Sequence, residues 1–149
     1  MGVQTFSHPA PQGPGHAVIP FFLPYSGCPS RCVYCSQSVQ TGVQTHSLEH
    51  HFRLFVNRLE QLGAEIPKEI GFYGGTFTNL PEQWVERFLR KAAQAKAKGM
   101  LVKARCSTRP DMLTQPQLER LKALGLDMIE LGIQSFDDTS LRTSRRDYT

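Results

Sequence analysis

The stretch "GCPSRCVYC" places three of the chain's four cysteines, Cys28, Cys32 and Cys35, within eight residues, and leaves Cys106 far downstream. Thiolates are soft metal ligands and nucleophiles. A disulfide framework calls for an even number of cysteines, and a structural zinc site normally takes four ligands. Three thiolates suit a 4Fe-4S cluster: they hold three irons and leave the fourth open to a substrate or cofactor. The competing chemistry is a zinc site completed by His46, His50 or His51, although zinc ligands favour paired Cys-x2-Cys or Cys/His spacing. His50 and His51 begin a predicted helix and read as surface residues rather than ligands.

Bulk properties restrict the setting of this chemistry. A chain of 149 residues suits one ordinary domain, and 40% hydrophobic with 20% charged residues excludes a disordered or membranous composition. The net charge of +4 is ordinary for a small domain. From Arg87 to Arg109 eight Lys/Arg occur without an acid (Arg87, Arg90, Lys91, Lys96, Lys98, Lys103, Arg105, Arg109). No aromatic platform is interleaved, so this run reads as a solvated helix face and a polar strand face rather than a nucleic-acid footprint. Residues 1–16 have no apolar signal core and read as a flexible tail, and Phe6 breaks the myristoylation pattern. The run "AVIPFFLPY" is too short and too proline-rich to span a bilayer. These features predict a cytoplasmic protein without membrane attachment, where clustered thiols stay reduced and bind metal.

The positioning elements alternate. Val18 to Leu23 reads as a first strand. Ser47 is placed to cap a helix with Leu48, Phe52, Phe55, Leu59 and Leu62 at helical spacing, ended by Gly63. Glu69 to Gly75 is a second strand. Pro81 suits the first turn of a helix whose stripe is Trp84, Val85, Phe88, Leu89 and Ala92, closed by Gly99. The third strand, Met100 to Ser107, alternates, with Met100, Val102, Ala104 and Cys106 on one face and Leu101, Lys103, Arg105 and Ser107 on the other. This phase makes Cys106 a buried free thiol. Thr114 and Gln117 predict a capping box for a helix that buries Leu118, Leu121 and Leu124 and stops at Gly125. The fourth strand is Met128 to Ser135, and Asp137 to Arg142 starts a last helix, its acids favourable to the dipole.

Four βα units with short turns predict a parallel α/β sheet with right-handed crossovers. One strand side is polar, with Arg105, Ser107, Glu130 and Gln134 in phase, which fits the lumen of a barrel or partial barrel. An eight-unit barrel takes about 250 residues, so four units predict an open sheet edge and a chain that is either a fragment of a larger barrel or one that needs a partner. In such folds the ligand sits at the carboxyl ends of the strands. The cysteine triplet, "GGTFT", "STRPD" and "QSFDD" follow the four strands in turn and therefore gather at one end.

These residues carry a family resemblance. "CPSRCVYC" resembles the Cys-x3-Cys-x-aromatic-Cys signature of radical S-adenosylmethionine (SAM) enzymes, and "YGGTF" after the next strand strengthens the match. "STRPD" and "ELGIQSFDD" resemble the branch with the elongator catalytic subunit and the oxygen-independent coproporphyrinogen oxidases. The resemblance implies a radical SAM core over 17–149: the first four βα units of a six-unit barrel, without its C-terminal region. It implies a 4Fe-4S cluster on Cys28, Cys32 and Cys35, with SAM chelated at the open iron. An electron from a flavodoxin- or ferredoxin-type donor then cleaves SAM to a 5′-deoxyadenosyl radical, which takes hydrogen from a substrate. Tyr34 resembles the residue packed near the adenine, and Gly74, Gly75 and Thr76 the segment whose backbone receives the SAM amino group. Ser107 stands where relatives often carry a ribose-binding Glu, Gln134 matches a ribose-side Gln, and Arg109 is a candidate for the carboxylate or substrate. The substrate classes implied are an RNA base, with tRNA as a partner, or a tetrapyrrole. Asp147 stands where relatives more often have Gly. The reading from another class is a non-catalytic fragment that holds a cluster or zinc.

Overall fold

The computed structural model describes residues 16–63, 66, 68–146 and 148. The tail expected over 1–16 lies outside the described residues apart from His16, and so does Asp147. Strands β1 (Val18–Phe22), β2 (Lys68–Tyr73), β3 (Leu101–Thr108) and β4 (Met128–Leu131) form one parallel sheet in the order β1-β2-β3-β4. Helices α1 (Gln37–Thr41), α2 (Leu48–Glu60), α3 (Glu82–Ala97), α4 (Gln115–Ala123) and α5 (Asp138–Thr143) alternate with the strands. The sheet does not close, with β1 and β4 as its edges. The architecture is therefore the partial α/β barrel that the alternation predicts.

Local chemistry sets the element ends. Ser47 caps α2 by accepting the His50 N–H at 3.2 Å, and Asp137 caps α5 by accepting the Ser140 N–H at 2.7 Å. Thr114 accepts the Gln117 N–H at 3.4 Å, but the Gln117 side chain donates to the Thr78 carbonyl at 2.7 Å instead of completing the capping box. A tertiary acceptor has displaced the local one. Helix α2 stops at Glu60, before Gly63. Helix α1 was not anticipated: "QSVQT" buries no side chain, so no apolar period marks it. Strand β2 ends at Tyr73 because Gly74 turns at φ 89°, and β4 ends at Leu131, short of the expected Ser135.

The phase of β3 departs from strict alternation. Lys68 pairs with Leu101 but Glu69 pairs with Lys103, so β3 carries one extra residue. Leu101 consequently joins Ala104 and Cys106 in the core, whereas unbroken alternation put it with Lys103. Helices α2 and α3 cover this face. Phe55, Phe72 and Phe88 are fully buried, and Phe77 stacks on Phe72 with ring centroids 4.5 Å apart. Leu121 is buried, while Leu118 and Leu124 are half-buried at the less covered end.

The opposite sheet face is polar, as the inward phase predicts. Arg105 pairs with Glu69 and, at 3.2 Å, with Glu130, which also accepts the Tyr73 hydroxyl at 3.0 Å. Burial, then the neighbouring Glu130, raises the pKa of Tyr73. Burial opposes the charge of Arg105, but its bonds to Glu69 and Glu130 outweigh this and hold it protonated. A Cβ on Gly71 would lie 2.4 Å from the Tyr73 ring, so only glycine lets that ring lie over β2. The basic run is largely neutralised: Arg87 meets Glu49, Arg90 meets Glu86, Lys96 meets Asp127, Lys103 meets Glu69 and Arg109 meets Asp111. Among the described residues no helix is long and apolar enough to cross a membrane.

Candidate functional site

The cysteine loop is fastened to the end of β2 before any side chain acts. The Leu23 N–H donates to the Tyr73 carbonyl at 2.8 Å, Tyr25 N–H to Gly74 at 3.1 Å, and Thr76 N–H back to Ser26 at 2.9 Å. The contact points need glycine. A Cβ on Gly75 would lie 2.1 Å from the Ser26 oxygen, and one on Gly27 would lie 2.2 Å from the Thr76 oxygen. The expectation that this Gly pair permits close approach of a ligand thus gains a second reason: the two loops interlock through it. On its other side the loop is tied to the segment after α5, by the Val33 N–H on the Ser144 carbonyl and the Ser30 hydroxyl on the Arg145 carbonyl.

These ties enclose a cavity of about 190 Å³ at the carboxyl ends of the strands, lined by Cys28, Cys32 and Cys35. The residues that the resemblance assigns to SAM or substrate, Tyr34, Gly74, Gly75, Thr76, Ser107, Arg109 and Gln134, line the same cavity. The three thiols are free. Gln134 reaches the cavity by a route other than strand phase: β4 has already ended, and Gln134 turns at φ 71°. The other non-glycine residues at positive φ, Tyr25 at 58° and Arg145 at 59°, also belong to the cavity wall or its ties. Such conformations cost of order 1–3 kcal/mol each and gather where a site must be held in shape.

Cys106 stays apart. It is wholly buried on the core face, and burial pushes its thiol up to about 12. His46, His50 and His51 do not line the cavity. They pack on one another, with His46 and His50 ring centroids 4.4 Å apart, and His51 is buried, contrary to the surface position expected for it. Its Nε2 accepts the His46 N–H at 3.3 Å, which gives the inward-facing ring a partner.

Sequence reasoning missed Arg146, which is 6% exposed and reaches into the cavity from the segment after α5. Its guanidinium donates to the Gly132 carbonyl at 2.5 Å, the Tyr148 hydroxyl at 2.9 Å, the Tyr34 hydroxyl at 3.3 Å and Cys32 Sγ at 3.5 Å. Burial works against its charge, but the bonds to Tyr148 and Tyr34 outweigh it and raise its pKa. Tyr34 is in turn raised, first by burial. Nothing in "SRRDYT" distinguishes this arginine from its neighbour, because its contacts with the cysteine loop, to Tyr34 and Cys32, span more than a hundred residues. Arg109 is buried but engaged: Nε and Nη2 grip the Asp111 carboxylate at 2.9 and 2.8 Å. Tyr25 and Gln37 complete the wall and were also unforeseen.

Among the described residues no three His, Cys, Asp or Glu side chains are placed to share one metal ion. A multi-iron cluster makes a different demand, since each of its thiolates binds a separate iron. Three free thiols facing one cavity, with a buried guanidinium against one sulfur, fit an anionic cluster of that kind.

A sequence model of the radical SAM superfamily matches residues 22–149. The chain is 30% identical over 116 residues to Elongator complex protein 3 of Saccharomyces cerevisiae, covering 63% of this chain and 20% of that protein. It is 27% identical over 112 residues to Elongator complex protein 3 of Drosophila melanogaster, with the same coverage of 63% and 20%. It is 24% identical over 144 residues to Radical S-adenosyl methionine domain-containing protein 1, mitochondrial, of Bos taurus, covering 95% of this chain and 33% of that protein. The chain thus spans between a fifth and a third of the length of these curated relatives.

Proposed function

The chain belongs to the radical SAM superfamily, and from that premise we propose that it is the cluster- and SAM-binding part of a radical SAM enzyme. The observation that carries the proposal is the convergence of the three thiols with all four strand-end segments on one cavity. Cys28, Cys32 and Cys35 would each ligate one iron of a 4Fe-4S cluster. When bound, the cluster and SAM supply reductive cleavage of SAM to a 5′-deoxyadenosyl radical and hydrogen abstraction from substrate. The chain's own residues orient and enclose. Gly74, Gly75 and Thr76 would offer backbone to the SAM amino group, Tyr34 would pack near the adenine, and Gln134 and Ser107 would face the ribose. Arg109, already paired with Asp111, would position the wall rather than grip a carboxylate.

An acidic flavodoxin- or ferredoxin-type protein would deliver the electron. Two relatives are named as elongator proteins, which favours an RNA base, as in tRNA, over a tetrapyrrole as substrate. We place the protein in the reducing cytoplasm, where the thiols stay available, and take 17–149 as the N-terminal part of the core. The test is anaerobic iron reconstitution followed by visible spectroscopy. Cys28→Ala should abolish most cluster absorbance; unchanged iron content and absorbance would sink the proposal. A second reading, cluster binding without turnover, draws on the open β4 edge. Sustained formation of 5′-deoxyadenosine with dithionite would rule it out.

A further inference from the structure

Each thiol of the triplet meets a side chain able to donate a hydrogen bond from a different part of the chain, and Cys32 also neighbours the Tyr34 hydroxyl. Thr76 Oγ1, after β2, lies 3.4 Å from Cys28 Sγ. Arg146 Nη1, after α5, lies 3.5 Å from Cys32 Sγ. Gln37 Nε2, at the start of α1, lies 3.2 Å from Cys35 Sγ. The last contact is the best determined. An amide can present oxygen or nitrogen to a neighbour, and the choice must come from its surroundings. Here the Tyr25 N–H, shared with the Gly74 carbonyl at 3.1 Å, donates to Gln37 Oε1 at 2.6 Å, which turns the oxygen toward that N–H and the NH2 group toward the sulfur. The Gln37 N–H in turn donates to the Tyr25 hydroxyl at 2.9 Å, which holds the helix start against the loop.

We infer that Gln37 is a positioning residue that donates an N–H···S bond to the Cys35 thiolate, and so sets the reduction potential of the bound cluster together with Thr76 and Arg146. The inference rests on the cluster-binding reading above. Its physics is simple. A cluster gains one negative charge on reduction, part of which resides on the thiolate sulfurs. Donors aimed at those sulfurs stabilise the reduced form more than the oxidised one and raise the potential. Against a thiolate, the Thr76 hydroxyl can only donate, and the Arg146 guanidinium can only donate. At least one donor per ligand spreads the effect over all three sulfurs.

The experiment is an EPR-monitored redox titration of the anaerobically reconstituted full chain, comparing wild type with Gln37→Glu and Gln37→Leu. Gln37→Glu keeps an oxygen for the Tyr25 N–H and replaces the NH2 donor with an acceptor, so the loop is kept while the bond to sulfur is lost. The midpoint should move to a more negative value, and Gln37→Leu should move it less far in the same direction. The midpoint does not depend on how much cluster is loaded, so partial iron occupancy does not obscure the reading. Midpoints of both variants equal to wild type would overturn the inference, as would complete loss of iron from both, since a donor to sulfur is not a ligand. A wild-type chain that forms no cluster refutes the cluster-binding reading and this inference with it; unchanged midpoints refute this inference alone.

Discussion

Gly75 concentrates the connection between fold and site in a single missing methyl. In Gly75→Ala the new Cβ would lie 2.1 Å from the Ser26 oxygen and 2.8 Å from the Leu23 oxygen, and Cβ contacts below 3.0 Å essentially do not occur. Both opposing atoms are backbone, so no side-chain rotation relieves the overlap. The cysteine loop must retreat by roughly 1 Å, an overpacking that costs about 1–3 kcal/mol. The retreat also loosens the 2.9 Å bond from Thr76 N–H to Ser26, worth about 1 kcal/mol. The expected loss of stability is about 2–4 kcal/mol, read from urea denaturation followed by circular dichroism. Because Cys28 follows Ser26 directly after Gly27, iron content after reconstitution should fall as well. Gly63→Ala is the control: nothing lies within 4 Å of its new Cβ, so stability should change by under about 1 kcal/mol. If Gly75→Ala matched Gly63→Ala in both stability and iron content, interlocking of the two loops would not be what holds the triplet.

Two further outcomes follow from the core and the histidines. Phe72→Ala removes a fully buried ring that stacks on Phe77, and should cost about 3–5 kcal/mol in the same denaturation assay. Burial, then the positive charges of His46 and His50, lowers the pKa of His51, so the folded state resists its protonation. Its contribution to stability is complete above the ordinary histidine value of about 6.5 and is lost as pH falls below it through the folded value. Gln at position 51 keeps an acceptor for the His46 N–H; His51→Gln should therefore lessen the stability lost between about pH 7.5 and 5.5, and an undiminished loss would refute the assignment.

Periodicity made the fold legible wherever one face of an element is apolar. Helices α2, α3 and α4 and strands β3 and β4 carry that pattern, whereas β1 is an apolar run on both faces and β2 is buried along most of its length. Periodicity failed where burial is not the cause of structure. Helix α1 buries nothing, and its end is set by Gly42 in the left-handed region at φ 69°. The bulge in β3 is a register event between two strands, so Leu101 alone could not reveal it. Gln117 was read correctly as a cap neighbour, yet its side chain found a carbonyl 39 residues away. Local rules describe which bonds a residue can make; the tertiary fold decides which it does make.

The site divides along the same line. Cysteine spacing and the Gly pair are local signals, and they marked the cavity. Arg146 and Gln37, which meet the sulfurs of Cys32 and Cys35, are single polar residues without a pattern. This division bears on what half a barrel can do. Every tie that shapes the cavity lies within the described chain: Gly75 and Gly27 against the facing loops, Ser30 and Val33 against the segment after α5, and Gln37 against Tyr25. Among the described residues none of these ties crosses the β4 edge. The polar face carrying Arg105, Glu130 and Tyr73 is the side of the sheet that the barrel reading turns toward the lumen. In the proposed reading cluster binding draws on ties within these four βα units, and turnover is a separate property that formation of 5′-deoxyadenosine measures on its own.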